Sequence, residues 1–193
     1  MRHGRTPNNA QARLQGQSDS PLDEVGFEQS AVVGEALRDR WPVDRLVVSS
    51  RRRTQQTARA AGLADVPTTV DDRWTEIDFG AYDDRRIGDV MAELTSAWAS
   101  DVSYVPPGGE SMTSLHERVG EAVAELAGEA TTSNILVVTH ATPIKSAVVW
   151  LLGGGAEMIM RLRVSLASIT AFRPVAHGLV LSEFNWCPAR HIS

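Results

Sequence analysis

Four consecutive apolar residues constrain the fold of this chain more than any other feature. The run Ile135-Leu136-Val137-Val138 shows no polar alternation, which is typical of a β-strand covered on both faces. A shorter run of the same kind is Leu46-Val47-Val48. Strands of this type lie inside parallel sheets, because helices on both sides of the sheet bury them. We therefore expect an α/β protein.

Amphipathic patterns separate these apolar runs and predict the helices. The segment entered from Asp23 and Glu24 has a helical stripe that stops before Pro42. The predicted helices are 27–37, a helix beginning near Arg53, 88–99, a long helix from Ser111, and one between Thr142 and Gly153. For the last helix we predict Thr142 as the N-cap and Pro143 as the first helical residue.

The remaining elements complete a fold prediction. Residues 68–70 suit a third strand, 106–109 must form a loop because they hold two prolines and two glycines, and 168–173 with 178–184 predict a hairpin. Strands that alternate with helices favour a three-layer α/β/α sandwich with a mostly parallel central sheet. No linker divides the sequence, so we expect a single domain over residues 1–193.

The composition limits the classes of partner and of site that we expect for this chain. The chain has 193 residues and a net charge of −5, so we expect neither nucleic acid nor a membrane surface as a partner. Cytoplasm is the simplest location, since no leader or apolar span is present. Cys187 is the single cysteine and no Cys/His pair has metal-ligand spacing, so we predict no metal site and no cofactor. The sequence leaves the monomer and the homodimer open.

Polar residues follow two of the predicted strands directly. Ser49 follows the strand at 46–48, and His140 follows the strand that ends at Thr139. Parallel sheets place their ligands beyond the carboxyl ends of their strands, so this edge is the predicted site. A cluster of arginines could bind an anion there; of its members, we expect Arg5, Arg51 and Arg52 to be solvated surface charges, but not Arg2 and Arg53.

Five ordered motifs resemble the histidine phosphatase superfamily. They are Arg2-His3-Gly4 followed by Asn9 and Arg13-Leu14-Gln15-Gly16; Ser49 to Arg53 with Gln56-Thr57-Ala58; Glu76 with Phe79-Gly80; Pro106-Pro107-Gly108-Gly109-Glu110-Ser111; and Val137-Val138-Thr139-His140 with Pro143-Ile144. A single tripeptide match would be weak, whereas five motifs in order are specific. The resemblance implies a phosphoglycerate mutase-like fold.

The resemblance also implies a role for each of the central residues. His3 would attack phosphorus and form a phosphohistidine, and Arg2, Arg53 and His140 would supply positive charge to the phosphoryl oxygens. Glu76 would protonate the leaving group, because a carboxylic acid near a phosphate anion keeps its proton to higher pH. Glu110 is the alternative acid.

A second group of residues is assigned to substrate binding. It comprises Asn9, Arg13, Gln15, Gly16, Glu110 and Ala141. We expect no catalytic role for the other histidines, which are His116, His177 and His191, or for the five tryptophans.

Three features depart from the family pattern. The family places an apolar central strand before the first arginine, but here only Met1 precedes Arg2; we therefore expect that the natural chain begins upstream and that this first strand is truncated. Ala141-Thr142 replace two glycines after the distal histidine and narrow the pocket. Asp83-Asp84-Arg85 replace a small acidic-glycine turn.

The predicted function is hydrolysis of a small phosphomonoester. The segment between Glu76 and Pro106 is short, which disfavours a 2,3-bisphosphoglycerate-dependent phosphoglycerate mutase because a mutase must exclude water from its phosphoenzyme. The mutase stays an alternative, as does a protein that binds phosphorylated ligands without turnover. Later segments are similar to α-ribazole-phosphatase-like domains of actinobacteria, and we expect a small phosphorylated metabolite as partner.

Overall fold

The computed structural model describes residues 1–176 and 178–188. The helices are α1 (Pro7–Ala10), α2 (Glu24–Arg40), α3 (Arg52–Ala60), α4 (Ile87–Ser100), α5 (Met112–Glu129) and α6 (Ala141–Leu151). The strands are β1 (Arg45–Val48), β2 (Thr68–Val70), β3 (Ile135–Val138), β4 (Ile169–Val175) and β5 (Gly178–Trp186). Short 3₁₀ turns occupy Asp72–Trp74, Gly80–Tyr82 and Ala156–Arg161.

The central sheet is parallel and its order is β2-β1-β3. Leu46 of β1 lies opposite Thr68 on one side and Leu136 on the other. Strands β4 and β5 form the expected antiparallel hairpin. Residues 1–3 connect the two parts, because Arg2 pairs in parallel with Thr139 and its amide donates to the Ser168 carbonyl at 3.0 Å.

Two apolar clusters lie on opposite faces of the sheet. Val47 packs into a cluster with residues of α4 and α5, among them Leu94 and Leu115. Its neighbours Leu46 and Val48 pack instead with α2 residues such as Leu37. This alternation follows from the opposite directions of successive side chains in a strand. The three-layer α/β fold predicted from the sequence is confirmed.

The start of α6 differs from the prediction. Its N-cap is His140, whose backbone is extended at φ −120° and ψ 179°, and Ala141 is the first helical residue. Thr142 is therefore inside the helix, and its amide donates to the Glu76 carboxylate at 3.2 Å. Pro143 is tolerated at the third position, because the amides of the first turn have no partner within the helix. The prediction that Thr142 caps the helix was wrong.

The ends of the other long elements agree closely with the sequence patterns. Ser111 caps α5, its side chain accepting from the Ser114 amide at 3.0 Å, and the Asp23 side chain caps α2 by accepting from Gly26. Within the described ranges 1–176 and 178–188, no helix has the length and apolar content needed to cross a membrane.

Candidate active site

The predicted site lies at the carboxyl ends of the parallel strands. His3 follows Arg2, which pairs with Thr139, and Ser49 follows β1 directly. One residue, Thr139, separates His140 from the end of β3. All three side chains are buried. The rings of His3 and His140 lie 5.2 Å apart between centroids. The topology thus brings both histidines to the sheet edge at which the sequence placed them.

His3 is held in a single orientation with one nitrogen free. Its Nδ1 lies 2.7 Å from the carbonyl oxygen of Gly4, so Nδ1 carries the proton and donates it, and Nε2 keeps its lone pair. Burial, with the guanidinium groups of Arg53 and Arg2, lowers the pKa of His3 well below 6.5. At neutral pH the ring is uncharged, which is the state a nitrogen nucleophile requires.

The segment around His3 is fixed by close contacts. The Gly4 amide donates to Thr57 Oγ1 at 3.0 Å. A Cβ at Gly4 would lie 2.4 Å from the Gly26 carbonyl oxygen, so only glycine permits this approach of the chain to α2. The glycine of the first motif therefore positions the histidine before it.

His140 has no free nitrogen. Its Nε2 lies 2.8 Å from Ser49 Oγ, and its Nδ1 accepts from Arg53 Nε at 3.1 Å. Burial and the charge of Arg53 lower the pKa of His140 well below 6.5. The resemblance implies that His140 supplies positive charge to a phosphate. In this structure its Nδ1 accepts from a guanidinium and holds no proton, so the ring is neutral.

Arg53 and Arg2 are the cations of the site. Arg53 is fully buried, and burial lowers its pKa to about 10, which leaves it charged at neutral pH. Burial also lowers the pKa of Arg2, while the Glu76 carboxylate raises it. Arg2 Nη1 donates to the Val164 carbonyl at 2.7 Å. Both side chains are where the sequence placed them, beside His3.

A loop of three residues orients Arg53. Its Nη1 donates to the Ser18 carbonyl at 2.6 Å and its Nη2 to the Gly16 carbonyl at 2.9 Å. The Asp83 carboxylate holds this loop from behind, since it accepts from the amides of Gly16, Gln17 and Ser18 at 2.7, 3.0 and 2.8 Å. The turn that departs from the family pattern thus supports the central arginine.

Glu76 is buried at the same edge. Its Oε1 accepts from the Ile77 amide at 3.0 Å and from the Thr142 amide at 3.2 Å, whereas Oε2 has only a 3.4 Å contact with the Thr142 amide. The first turn of α6 thus fixes the carboxylate, and Oε2 is the oxygen with fewer hydrogen-bond contacts.

Glu110, the alternative acid, is engaged elsewhere. Both of its oxygens accept from Arg118, Oε1 from Nε at 2.6 Å and Oε2 from Nη2 at 2.8 Å. Arg118 also donates to the carbonyls of Arg73 and Thr75 at 2.7 and 3.0 Å. This arrangement makes Glu110 part of a clamp on the segment before Glu76.

The other assigned residues are divided between the site and its surroundings. The Asn9 side chain accepts from the Thr6 amide at 3.1 Å and closes a capping box on α1, while the Gln15 side chain is buried and accepts from Thr6 Oγ1 at 2.7 Å. Arg13 donates to the Asp84 carbonyl at 2.6 Å and is directed to that turn. Ala141 is half-buried at the start of α6.

Buried donors without partners concentrate around these residues. Among the described residues, the buried side-chain atoms that lack a hydrogen bond include Arg2 Nε, Gln15 Nε2, Ser18 Oγ and Arg51 Nε. Such groups are costly unless a ligand or water satisfies them. They fit an anionic, oxygen-rich ligand. Arg51, expected to be a solvated surface charge, is half-buried here and its charge lowers the pKa of His140.

Other sequence expectations are placed as follows. Arg5 pairs with Asp23 at 2.8 Å, and Arg52 is exposed. His116 lies 2.9 Å from Ser146 Oγ, while His177 and His191 fall outside the described residues. Across 1–176 and 178–188, no group of three or more His, Cys, Asp or Glu residues is placed to hold a metal ion.

Several residues that shape the site were not predicted from the sequence. Ser18, Asp83 and Arg118 act through backbone atoms or other side chains, so residue type gave no signal for them. Lys145 is half-buried on α6, and burial lowers its pKa while the Glu76 carboxylate raises it. The sequence feature that could have indicated Lys145 is its position three residues after Thr142.

Comparisons with known proteins agree with this geometry. The chain is 32% identical over 182 residues to the bifunctional protein Rv2228c of Mycobacterium tuberculosis, which covers 92% of this chain and 50% of that protein. The chain thus spans about half the length of that relative. It is 35% identical over 176 residues to the probable phosphoglycerate mutase GpmB of Salmonella choleraesuis, covering 88% of this chain and 81% of that protein.

A solved structure and a family model extend the agreement. The α-ribazole phosphatase of Shigella flexneri superposes with a TM-score of 0.83 at 28% sequence identity, over 96% of this chain and 94% of the other. The family described as histidine phosphatase superfamily (branch 1) matches residues 1–187. With His3, Arg53 and His140 gathered at one sheet edge, this chain belongs to the histidine phosphatase superfamily.

Proposed function

We propose that this chain hydrolyses a small phosphomonoester through a phosphohistidine on His3, with Glu76 as the proton donor. The observation that carries the proposal is the free Nε2 of His3, whose partner nitrogen is bonded to Gly4 at 2.7 Å. Arg2 and Arg53 lower the pKa of this ring by their positive charge, and these two cations would bind the phosphoryl group under attack.

The reaction divides into two displacements. His3 Nε2 forms a bond to phosphorus while the ester P–O bond breaks, and Glu76 gives its proton to the departing alkoxide. Water then attacks the phosphohistidine, Glu76 takes the proton from that water, and the N–P bond breaks to release inorganic phosphate. Arg2 and Arg53 stabilise the equatorial oxygens in both steps.

The proposed acid is tested against its alternative with a matched pair of variants. Glu76→Gln keeps the acceptor for the Thr142 amide but removes the proton, so hydrolysis of an alkyl phosphomonoester, whose alkoxide needs that proton to leave, falls by roughly 10²–10⁴-fold. Glu110→Gln weakens the Arg118 clamp and lowers kcat by about tenfold or less, without moving the pH profile. A loss of the basic limb of the pH–rate profile only in Glu110→Gln would assign the acid to Glu110.

A phosphoglycerate mutase is the second candidate, and the similarity to GpmB favours it. A mutase returns the phosphoryl group to substrate, so 2,3-bisphosphoglycerate would be required and phosphoglycerates would interconvert. Release of inorganic phosphate from a panel of phosphometabolites, abolished in His3→Ala, supports the hydrolase. Interconversion without phosphate release supports the mutase, and absence of turnover by the folded chain between pH 5 and 8 supports a binding protein.

A further inference from the structure

Arg51 lies beside the candidate active site but takes no part in the proposed reaction. It directly precedes α3, and its amide donates to Ser49 Oγ at 3.4 Å, the same oxygen that lies 2.8 Å from His140 Nε2. Burial lowers the pKa of His140 and of Arg53, and the charge of Arg51 lowers both further. The positive charge of Arg51 therefore acts on the site.

The half-buried side chain of Arg51 carries a charge that no carboxylate neutralises. Four other half-buried arginines each pair with an Asp or a Glu, namely Arg5, Arg45, Arg73 and Arg118. Among the residues that the structure describes, Arg51 forms no such pair, and its Nε is buried without a hydrogen-bond partner. Such a cation is costly unless a ligand or water satisfies its donors.

The side chain of Gln17 fixes the position of this guanidinium. Gln17 Oε1 accepts from Arg51 Nη2, and Gln17 Nε2 donates to the backbone carbonyl of Glu76 at 3.0 Å. Glu76 is the proposed proton donor to the departing alkoxide, so the alcohol part of a substrate lies on its side of the site. The bridge through Gln17 places Arg51 on that same side.

Ser18 lies next to this bridge and has a second unsatisfied group. Residues 17–19 run along residues 51–53, since Gln17 contacts Arg51, the Ser18 carbonyl accepts from Arg53 at 2.6 Å, and Asp19 accepts from the Arg52 amide at 2.8 Å. The Oγ of Ser18 is buried and has no hydrogen-bond partner. Two adjoining segments thus contribute one unsatisfied donor each, Arg51 Nε and Ser18 Oγ.

We propose that Arg51, together with Ser18, binds a carboxylate on the alcohol part of the substrate and selects phosphomonoesters that carry this second negative charge. The proposal rests on the proposed phosphatase reaction, because Glu76 defines the side on which the alcohol lies. A guanidinium forms strong charge-assisted hydrogen bonds with a carboxylate. One cation balances one carboxylate, whereas a second phosphate brings almost two negative charges.

Two esters that differ only at one carbon test this subsite. 3-Phosphoglycerate has a carboxylate where glycerol 3-phosphate has a hydroxymethyl group. In the His3→Ala chain, which cannot form a phosphohistidine, we expect 3-phosphoglycerate to bind roughly 10–100-fold more tightly in isothermal titration calorimetry. This preference should decrease as the ionic strength rises. Equal Kd values for the two esters would overturn the proposal.

A matched pair of variants assigns the preference to Arg51. Arg51→Gln, added to His3→Ala, should abolish the preference for 3-phosphoglycerate and change the Kd of glycerol 3-phosphate by about threefold or less. Arg52→Gln removes the same charge from the exposed neighbouring side chain and should leave the preference intact. A preference that survives Arg51→Gln, or that falls equally in Arg52→Gln, would overturn the proposal.

A more conservative variant keeps the test decisive. If Arg51→Gln does not fold, as judged by Tm, Arg51→Lys takes its place because it keeps the charge and loses the planar donors. We expect the preference for 3-phosphoglycerate to fall by about tenfold in Arg51→Lys. An unchanged preference there would overturn the proposal.

Turnover separates a failure of this subsite from a failure of the proposed function. In the chain that retains His3, Arg51→Gln should lower kcat/KM for 3-phosphoglycerate by roughly 10–100-fold more than for glycerol 3-phosphate. Equal effects on the two esters would overturn the subsite and leave the phosphatase reaction supported. Binding that depends on Arg51, without hydrolysis of either ester, would support the subsite and contradict the phosphatase reaction.

Discussion

The two histidines of the site lie 5.2 Å apart, yet their surroundings differ. His3 is bonded through one nitrogen, to Gly4; His140 is bonded through both, to Arg53 and Ser49. Burial lowers the pKa of each ring, so charge does not distinguish them. The difference shows that hydrogen bonding leaves Nε2 of His3 free and makes His140 a partner of Arg53.

Removing each ring in turn is the most severe test of this contrast. His3→Ala should lower kcat for p-nitrophenyl phosphate by roughly 10⁴-fold or more, because no covalent intermediate can form. His140→Ala should cost about 10²–10³-fold through the orientation of Arg53. The measurement is steady-state hydrolysis together with detection of phosphohistidine by mass spectrometry. A labelled intermediate that persists in His3→Ala would reverse the two roles.

The segments that hold the two histidines in place also differ, and the pH dependence of stability should reveal this difference. His3 depends on residues 1–3, where burial lowers the pKa of the Met1 amino group from 8.0 to about 5. The unfolded chain binds this proton below pH 8 and the folded chain does not, so stability falls as pH decreases from 8 to 5, by about 4 kcal/mol. Below pH 6.5 the lowered pKa values of both histidines act in the same direction.

Acetylation of Met1 is the control for the amino group. Chemical denaturation should show a slope between pH 6.5 and 8 in the 193-residue chain and almost none there in the acetylated chain, whereas the slope that the two histidines cause below about pH 6.5 remains in both. Identical slopes would remove the buried amino group as the cause.

A variant at Asp83 tests the contrast through Arg53, which is the partner of His140. Asp83→Asn removes one acceptor oxygen from the loop that holds Arg53, so we expect kcat to fall by about tenfold, with a smaller change in Tm than a buried apolar truncation causes. The matched control is Asp84→Asn, whose φ of 62° asparagine tolerates. A similar loss in both variants would mean that the turn acts only through stability.

The smallest effect is expected at Ser49. Ser49→Ala removes the partner of His140 Nε2 but leaves the bond from Arg53 to Nδ1. Stability should fall by about 1–3 kcal/mol, because a buried donor loses its acceptor, while kcat should change by about threefold or less. A kcat as low as that of His140→Ala would show that Ser49, rather than Arg53, gives His140 its function.

Much of the fold followed from local patterns. The apolar runs at 46–48 and 135–138 formed parallel strands, and the stripe after Ser111 formed α5 with Ser111 as its cap. These features depend on periodicity and cap chemistry, which the sequence carries directly. The start of α6 did not follow, because the Glu76 carboxylate, distant in sequence, binds the Thr142 amide and makes a side-chain cap at Thr142 unnecessary.

The candidate catalytic residues could also be predicted from the sequence, because their residue types and motifs identify them. Motif order indicated His3, Arg53, Glu76 and His140, and the structure brings them to one sheet edge. The separate role of each residue could not be predicted from the sequence, because it depends on the direction of single hydrogen bonds. Arg13 and Glu110 were assigned to substrate, but the structure directs them to the Asp84 carbonyl and to Arg118. Assignment of the whole chain to one domain stays a prediction.

The sequence by itself determined the family, the order of strands and helices along the chain, and the residues that we propose to attack or bind a phosphate. Tertiary structure alone decided that His3 keeps a free Nε2, that His140 is neutral, and that Asp83 supports Arg53 through a loop. Local patterns fix which residues are apolar, nucleophilic or charged, whereas burial and hydrogen-bond partners arise from contacts between segments far apart in the chain.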